Sequence, residues 1–259
     1  MQSIVHTLLS NRRTKKITYK LCRKLFPGQL KKYSHTHEGI TYELDLTQHL
    51  DKSLFSNKLD LYDLDYARSH FSGGVFFDVG SYFGLFSLNL AKQFPDSCFY
   101  AFEPNPYTYQ VLCRNIQNNH IGNIKPQNIA FSGTEETREF RINNSGNRGA
   151  SSFCLPAKYH HKDDEMINIH CVTLSSFIKK TEISGIDFMK IDVEGHELPV
   201  VNDLISNVPA SVRPKHILLE EWGHSISTAN TSSVELLIKN GYRLTDHKHD
   251  NFMFEKLGQ

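Results

Sequence analysis

The sequence predicts an α/β protein built on a doubly wound, mostly parallel Rossmann-like sheet, with a C-terminal antiparallel hairpin and an N-terminal extension. Three observations predict it. Short apolar runs at 75–80, 98–104, 124–131, 186–193 and 216–221 read as buried strands. Stretches with apolar residues at helical spacing lie between them, which implies parallel strands joined by right-handed crossovers. A glycine-bearing turn closes the first strand, where such sheets bind their ligands.

Taken in order, residues 1–26 read as one or two basic helices, with Ile17, Leu21 and Leu25 at four-residue spacing, ended by Pro27-Gly28. The run 37–46 alternates apolar and polar residues at Ile40, Tyr42, Leu44 and Leu46, a half-buried strand. Residues 30–70 are expected to form a small lid or flanking layer, so that 1–70 stand apart from a main domain over 71–259. In that domain V-F-F-D-V-G opens the sheet, and the next helix is expected to align Phe83, Phe86, Leu90 and Phe94. A second helix carries Tyr109, Leu112, Cys113 and Ile116. The rhythm breaks over 132–173, where 138–143 and 167–173 read as strands around a polar loop. It resumes with a strand at 186–193, a helix at 197–206 and a strand at 216–221. Ser232 and Glu235 form a capping box for the last helix, and Gly241 follows its end. Two runs at 242–247 and 251–256, separated by a short turn, predict the closing hairpin.

With 259 residues, 39% hydrophobic and 22% charged, the chain suits one sizeable soluble domain and an extension. No run approaches the ~20 apolar residues that span a bilayer. Arg12, Arg13, Lys15 and Lys16 interrupt the apolar stretch from Ile4 to Leu9, so no secretory signal is read and the expected location is cytoplasmic. The five cysteines are odd in number and form no C-x-x-C pair, which argues against a disulfide framework or a cysteine zinc site. Residues 1–32 hold nine of the 29 basic residues and no acid, leaving 20 basic against 28 acidic residues in the remainder. A basic arm on an acidic body predicts peripheral contact with an anionic membrane, or packing of the arm on the body of this chain or of a second subunit.

The turn after the first strand reads D-V-G-S-Y-F-G (78–84). Gly80 is expected to let a ligand approach the backbone, Gly84 to let the helix lie close, and free N–H groups to receive a carboxylate. The G-x-x-x-G spacing differs from the G-x-G-x-x-G of nicotinamide enzymes. Glu103 ends the second strand, 25 residues after Asp78, where a carboxylate suits the two hydroxyls of a ribose. Pro104 bends the chain out, and Asn128 to Ala130 are placed to line an adenine.

Four blocks, D-V-G-S-Y-F-G (78–84), F-E-P-N-P (102–106), N-I-A-F-S (128–132) and K-I-D-V-E-G-H-E (190–197), resemble the FkbM family of S-adenosylmethionine-dependent methyltransferases. L-C-R-N-I (112–116) and T-L-S-S-F (173–177) fall in order with them. The resemblance covers 75–222 and implies a class I methyltransferase fold with S-adenosyl-L-methionine as cofactor. It implies that Asp78, Gly80, Gly84 and Glu103 hold that cofactor; Ser81, Pro104, Asn128 and Ala130 complete the candidate set. The chain departs from the family's usual Ala-Asn at Ser81-Tyr82, which puts hydrogen bonding in the first loop in question.

In this architecture the fourth strand end faces the reacting methyl, which makes Asp192 the first catalytic candidate. Glu194 and His196 follow it, the histidine as a candidate base and the glutamate as either functional or a helix cap. Glu220 ends the fifth strand, and Asp192 with Glu220 and Glu221 would be able to hold a divalent cation or bond acceptor hydroxyls directly. No metal ligand is assigned. His160 and His161 read as part of a polar surface loop. D-V-E-G stands where amino-directed DNA methyltransferases carry Asn- or Asp-Pro-Pro-aromatic, so the expected acceptor is a hydroxyl of a sugar, glycan or small molecule, not nucleic acid. A non-catalytic binding module and, more remotely, a nicotinamide oxidoreductase are the alternatives.

Overall fold

The computed structural model describes residues 15–25, 27–153, 162–221 and 232–258. The basic segment forms helices α1 (Lys15–Leu25) and α2 (Pro27–Leu30), the latter opened by a proline whose missing N–H is harmless at a helix start. Strands β1 (Tyr33–His37) and β2 (Ile40–Leu44) pair as a hairpin turned by Glu38 and Gly39, both at positive φ. Both strands alternate in burial, but only β2 carries the alternation in its apolar residues. The partner sequence Y-S-H-T-H has one large apolar residue and gives no periodic signal. Helices α3 (His49–Phe55) and α4 (Tyr62–His70) complete the flanking layer. Ile40, Tyr42, Leu44 and Leu54 share one apolar cluster with Phe76, Phe83, Leu88 and Phe99. The layer is thus packed on the sheet.

Next come β3 (Val75–Val79), α5 (Leu85–Gln93), β4 (Cys98–Phe102), α6 (Pro106–Asn118) and β5 (Ile124–Gln127). Helix α5 starts two residues after Phe83, which packs from the preceding turn instead of from the helix. The expected strand over 124–131 divides. Pro126 lacks a ladder donor and suits β5 to the sheet edge. Ala130–Phe131 (β6) leaves to join β7 (Glu136–Ile142) and β8 (Glu165–Val172) in a second sheet of order β6-β8-β7. T-L-S-S-F opens helix α7 (Leu174–Thr181), where Thr173 Oγ1 accepts from Ser176 N at 3.1 Å. The chain closes with β9 (Phe188–Ile191), α8 (Glu197–Asn207), β10 (His216–Glu220), α9 (Ser233–Lys239), β11 (Tyr242–Lys248) and β12 (Asn251–Lys256). Ser232 Oγ caps α9 by accepting from Glu235 N.

The main sheet runs β11-β12-β10-β9-β3-β4-β5. Its pairs from β10 through β5 are parallel, and the hairpin β11–β12 adds antiparallel to β10. Strand order reverses between β3 and β9, and a crevice opens at that switch point, at the carboxyl ends of the strands. Cys22, Cys98, Cys113 and Cys171 are free thiols. His160, His161 and Cys154 lie outside the described residues. Among the described residues, no helix is long and apolar enough to cross a membrane.

Candidate active site

A cavity of about 390 Å³ occupies the crevice, within the ~300–1,000 Å³ usual for cofactor pockets. Gly80, Ser81, Glu103, Pro104 and Ala130 line it together with Lys190, Asp192, Glu194, His196 and Glu220. The flanking layer supplies His49, Leu50, Leu59, Asp60 and Asp63. Residues 30–70 are therefore a wall of the site.

The first loop turns tightly under the end of β4. Gly80 N and Ser81 N both donate to Phe102 O, at 3.0 and 2.9 Å, and Gly84 N donates to Ser81 O. These three N–H groups are engaged inside the protein and are not the ones left to receive an anion. The glycine requirement also has another cause. At φ 85°, a Cβ on Gly80 would lie 1.8 Å from Asp192 O, so Gly80 lets the ends of β3 and β9 meet. At Gly84 a Cβ would lie 2.7 Å from Leu112 Cδ1, so the close approach is to α6, and Gly84 is absent from the cavity wall. Asp78 is also behind the wall, fully buried, with Oδ2 accepting from Ser87 N (3.2 Å) and Ser87 Oγ (2.6 Å). It holds the start of α5. Asn128 likewise turns from the cavity and donates to Glu103 O and Pro104 O, bracing the end of β4.

Glu103 is 7% exposed, its Oε2 accepting from Tyr82 N and its Oε1 from Asn105 N, each at 2.9 Å. Two backbone donors fix the carboxylate while each oxygen keeps a lone pair toward the cavity. Burial pushes its pKa up to about 7 against the lowering effect of those two N–H groups. Tyr82 holds this geometry at φ 48°, which a non-glycine residue adopts at a cost. Its hydroxyl donates to the buried Asp51 Oδ1 at 3.0 Å, and burial raises Asp51 to about 6. The departure from the family's asparagine keeps the backbone bond to Glu103 and adds a tie to α3.

At the other end, every residue of β9 is buried, including Lys190. Its Nζ donates to Gly80 O at 2.9 Å and to Asp192 Oδ2 at 3.0 Å, and lies 3.8 Å from Asp78 Oδ1. Desolvation opposes its charge, but Asp192 and Asp78 overcome that and hold the ammonium firmly protonated. Burial opposes ionisation of Asp192 too, yet the Lys190 charge prevails and a hydrogen bond with Glu220 assists, so Asp192 stays below the usual carboxylate range. Lys190 is a cavity residue that the sequence motifs did not single out. A lysine inside the apolar run F-M-K-I was the available signal.

The loop after β9 carries Glu194 and Gly195 at φ 55° and 94°. Glu197 Oε1 accepts from Val193 N and Gly195 N, so Glu197, not Glu194, holds the loop. Glu194 faces the cavity, and its buried Oε2 has no hydrogen-bond partner among the described residues. Burial, with Asp192 and Glu197 adding repulsion, pushes it up to about 9. His196 Nε2 lies 3.1 Å from Ser132 Oγ, and burial with the Arg138 charge pulls the imidazole down to about 4. It is neutral near pH 7 but a weak base. Glu221 carboxylate oxygens cap α9, accepting from Ser233 N and Val234 N, which removes it from the proposed three-carboxylate set. Asp63, on the opposite wall, is raised to about 6 by burial and the nearby Asp60 charge.

The mostly parallel doubly wound sheet, with a crevice at its switch point that Glu103 after β4 and acids at the ends of β9 and β10 line, is the class I methyltransferase fold. The sequence profile of the Methyltransferase FkbM domain matches residues 78–244, and the chain belongs to that family. Methyltransferase sdnD of Sordaria araneosa is 26% identical over 191 residues, 58% of this chain and 73% of the relative. Methyltransferase 1 of Beauveria bassiana (strain ARSEF 2860) is 21% identical over 160 residues, 51% and 61% of the two chains. Among solved structures, the human methyltransferase 10 domain containing protein superposes with a TM-score of 0.49 at 14% identity, covering 92% of this chain and 95% of that one.

S-adenosylmethionine is the cofactor of this family. The residues present fit it: Glu103 offers two directed lone pairs for a diol, Pro104, Ile129 and Ala130 give apolar surface in the same cavity, and the ionised Asp192 suits a sulfonium cation. The cofactor supplies an electrophilic methyl group.

Proposed function

We propose that the protein transfers the methyl group of S-adenosylmethionine to a hydroxyl of a sugar, glycan or small molecule. The observation that carries this reading is the Lys190–Asp192–Glu220 group, two strands from Glu103 and on the same cavity wall as Glu194. Asp192, ionised by Lys190, accepts a hydrogen bond from the acceptor O–H and turns an oxygen lone pair toward the methyl. Asp192 would take up the hydroxyl proton, which becomes strongly acidic as the acceptor oxygen is methylated. A strong base is not required, which suits a site whose histidine is held near pKa 4. Glu194, protonated near pH 7, donates to a second acceptor oxygen.

A non-catalytic binding module rested on Tyr82, and the intact Tyr82–Glu103 bond removes that support. The test offers S-adenosylmethionine with an isotopically labelled methyl and a panel of sugars, alcohols and amines. Label in an alkali-stable methyl ether supports the proposal; label confined to nitrogen or carbon refutes it.

A further inference from the structure

The basic helix α1 divides into two faces. Tyr19 and Cys22 turn inward: the tyrosine hydroxyl donates to Leu46 O at 2.7 Å and Cys22 is fully buried. Leu21 and Leu25, expected to pack on the body if the arm were only structural, are instead 50% and 55% exposed. They stand one turn apart on one face, with Lys20 and Lys24 exposed beside them. Lys31 and Lys32, just past α2, are exposed as well, and no acid occurs in residues 1–32.

We propose that this outer face of α1 docks the enzyme on an anionic lipid membrane, with Leu21 and Leu25 entering the headgroup boundary and the lysines meeting lipid phosphates. An amphipathic helix with basic residues flanking an apolar stripe lies in such an interface. A second copy of the chain is the weaker occupant. Eleven residues make a helix ~16 Å long, whose outer half offers ~250 Å² of surface, well short of the ~800 Å² per partner of a stable interface. Lipid makes no such demand, because shallow insertion and charge act together. Tyr19 and Cys22 keep the helix attached to the flanking layer, whose α3 and α4 wall the cavity, so docking would tether that layer to the membrane.

The test is sedimentation of the full chain with phosphatidylcholine vesicles with or without phosphatidylserine. The wild type is expected to sediment with the anionic vesicles only, and high salt should release it. Leu21→Glu with Leu25→Glu, and separately Lys20→Glu with Lys24→Glu, should each lower partitioning at least tenfold. All four side chains are exposed, so unchanged circular dichroism and melting are expected for both variants. A wild type that never sediments overturns the proposal, as does binding unaffected by both variants. Concentration-dependent self-association abolished by the leucine variant also overturns it, identifying the face as a subunit interface.

Discussion

Replacing Glu103 with alanine tests the cofactor site and the loop that carries it in one variant. The carboxylate accepts Tyr82 N–H and Asn105 N–H and keeps one lone pair per oxygen for the ribose. Two charge-assisted bonds of ~1.5–3 kcal/mol each would be lost, a weakening of roughly 10²–10⁴-fold after water takes up part of the loss. The same substitution leaves two backbone donors short of a partner, ~1–3 kcal/mol each, so the variant should also melt earlier. Calorimetric titration with S-adenosylhomocysteine gives the first number, and thermal unfolding the second. The ionised carboxylate is the form that would accept both hydroxyls, and burial pushes its pKa up to about 7. Wild-type affinity should therefore fall as pH drops through 7, by up to about tenfold per unit, while Glu103→Ala shows no such slope. An alanine variant that binds within about threefold of wild type near pH 8 would refute the placement of the ribose.

The remaining predictions concern the acceptor end. Asp192→Asn should keep cofactor affinity within several-fold and lower turnover by ~10²–10⁴, read in a labelled-methyl assay; equal turnover would remove Asp192 from the reaction. Lys190→Met leaves Asp78 and Asp192 without their counter-ion and should cost about 3–5 kcal/mol in urea unfolding, whereas an unchanged midpoint would show that the ammonium is dispensable. Glu194 has its folded pKa raised to about 9 from 4.5, so the stability it contributes is full below pH 4.5 and is lost as pH rises through 9. Glu194→Gln should therefore gain on wild type as pH rises, by a few kcal/mol at most, and a melting difference equal at pH ~5 and pH ~9 would contradict the burial of that carboxyl.

The parallel sheet was legible because its strands are buried on both faces and read as unbroken apolar runs, as in V-F-F-D-V and H-I-L-L-E. The separate course of Ala130–Phe131 was not, because a run from 124 to 131 does not reveal which sheet its second half joins. Helices α3 and α4 went unread for a related reason. Their sequences H-L-D-K-S-L-F and Y-D-L-D-Y-A-R-S-H are short and polar, and packing decides them. At the site, position along a strand placed Glu103 and Asp192 near the crevice. Side-chain direction was beyond reach: Asp78 and Glu221 sit at comparable strand ends but turn to bond helix N-termini. Asp63 comes from a helix with no motif at all.

A crystal structure of the S-adenosylhomocysteine complex tests the central claim most directly. The account predicts both ribose hydroxyls on Glu103, adenine against Ile129 and Ala130, and the sulfur turned toward Asp192 in the part of the cavity walled by Glu194 and Glu220. A ligand bound with Glu103 free of the ribose, or with its sulfur turned away from Asp192, would contradict it.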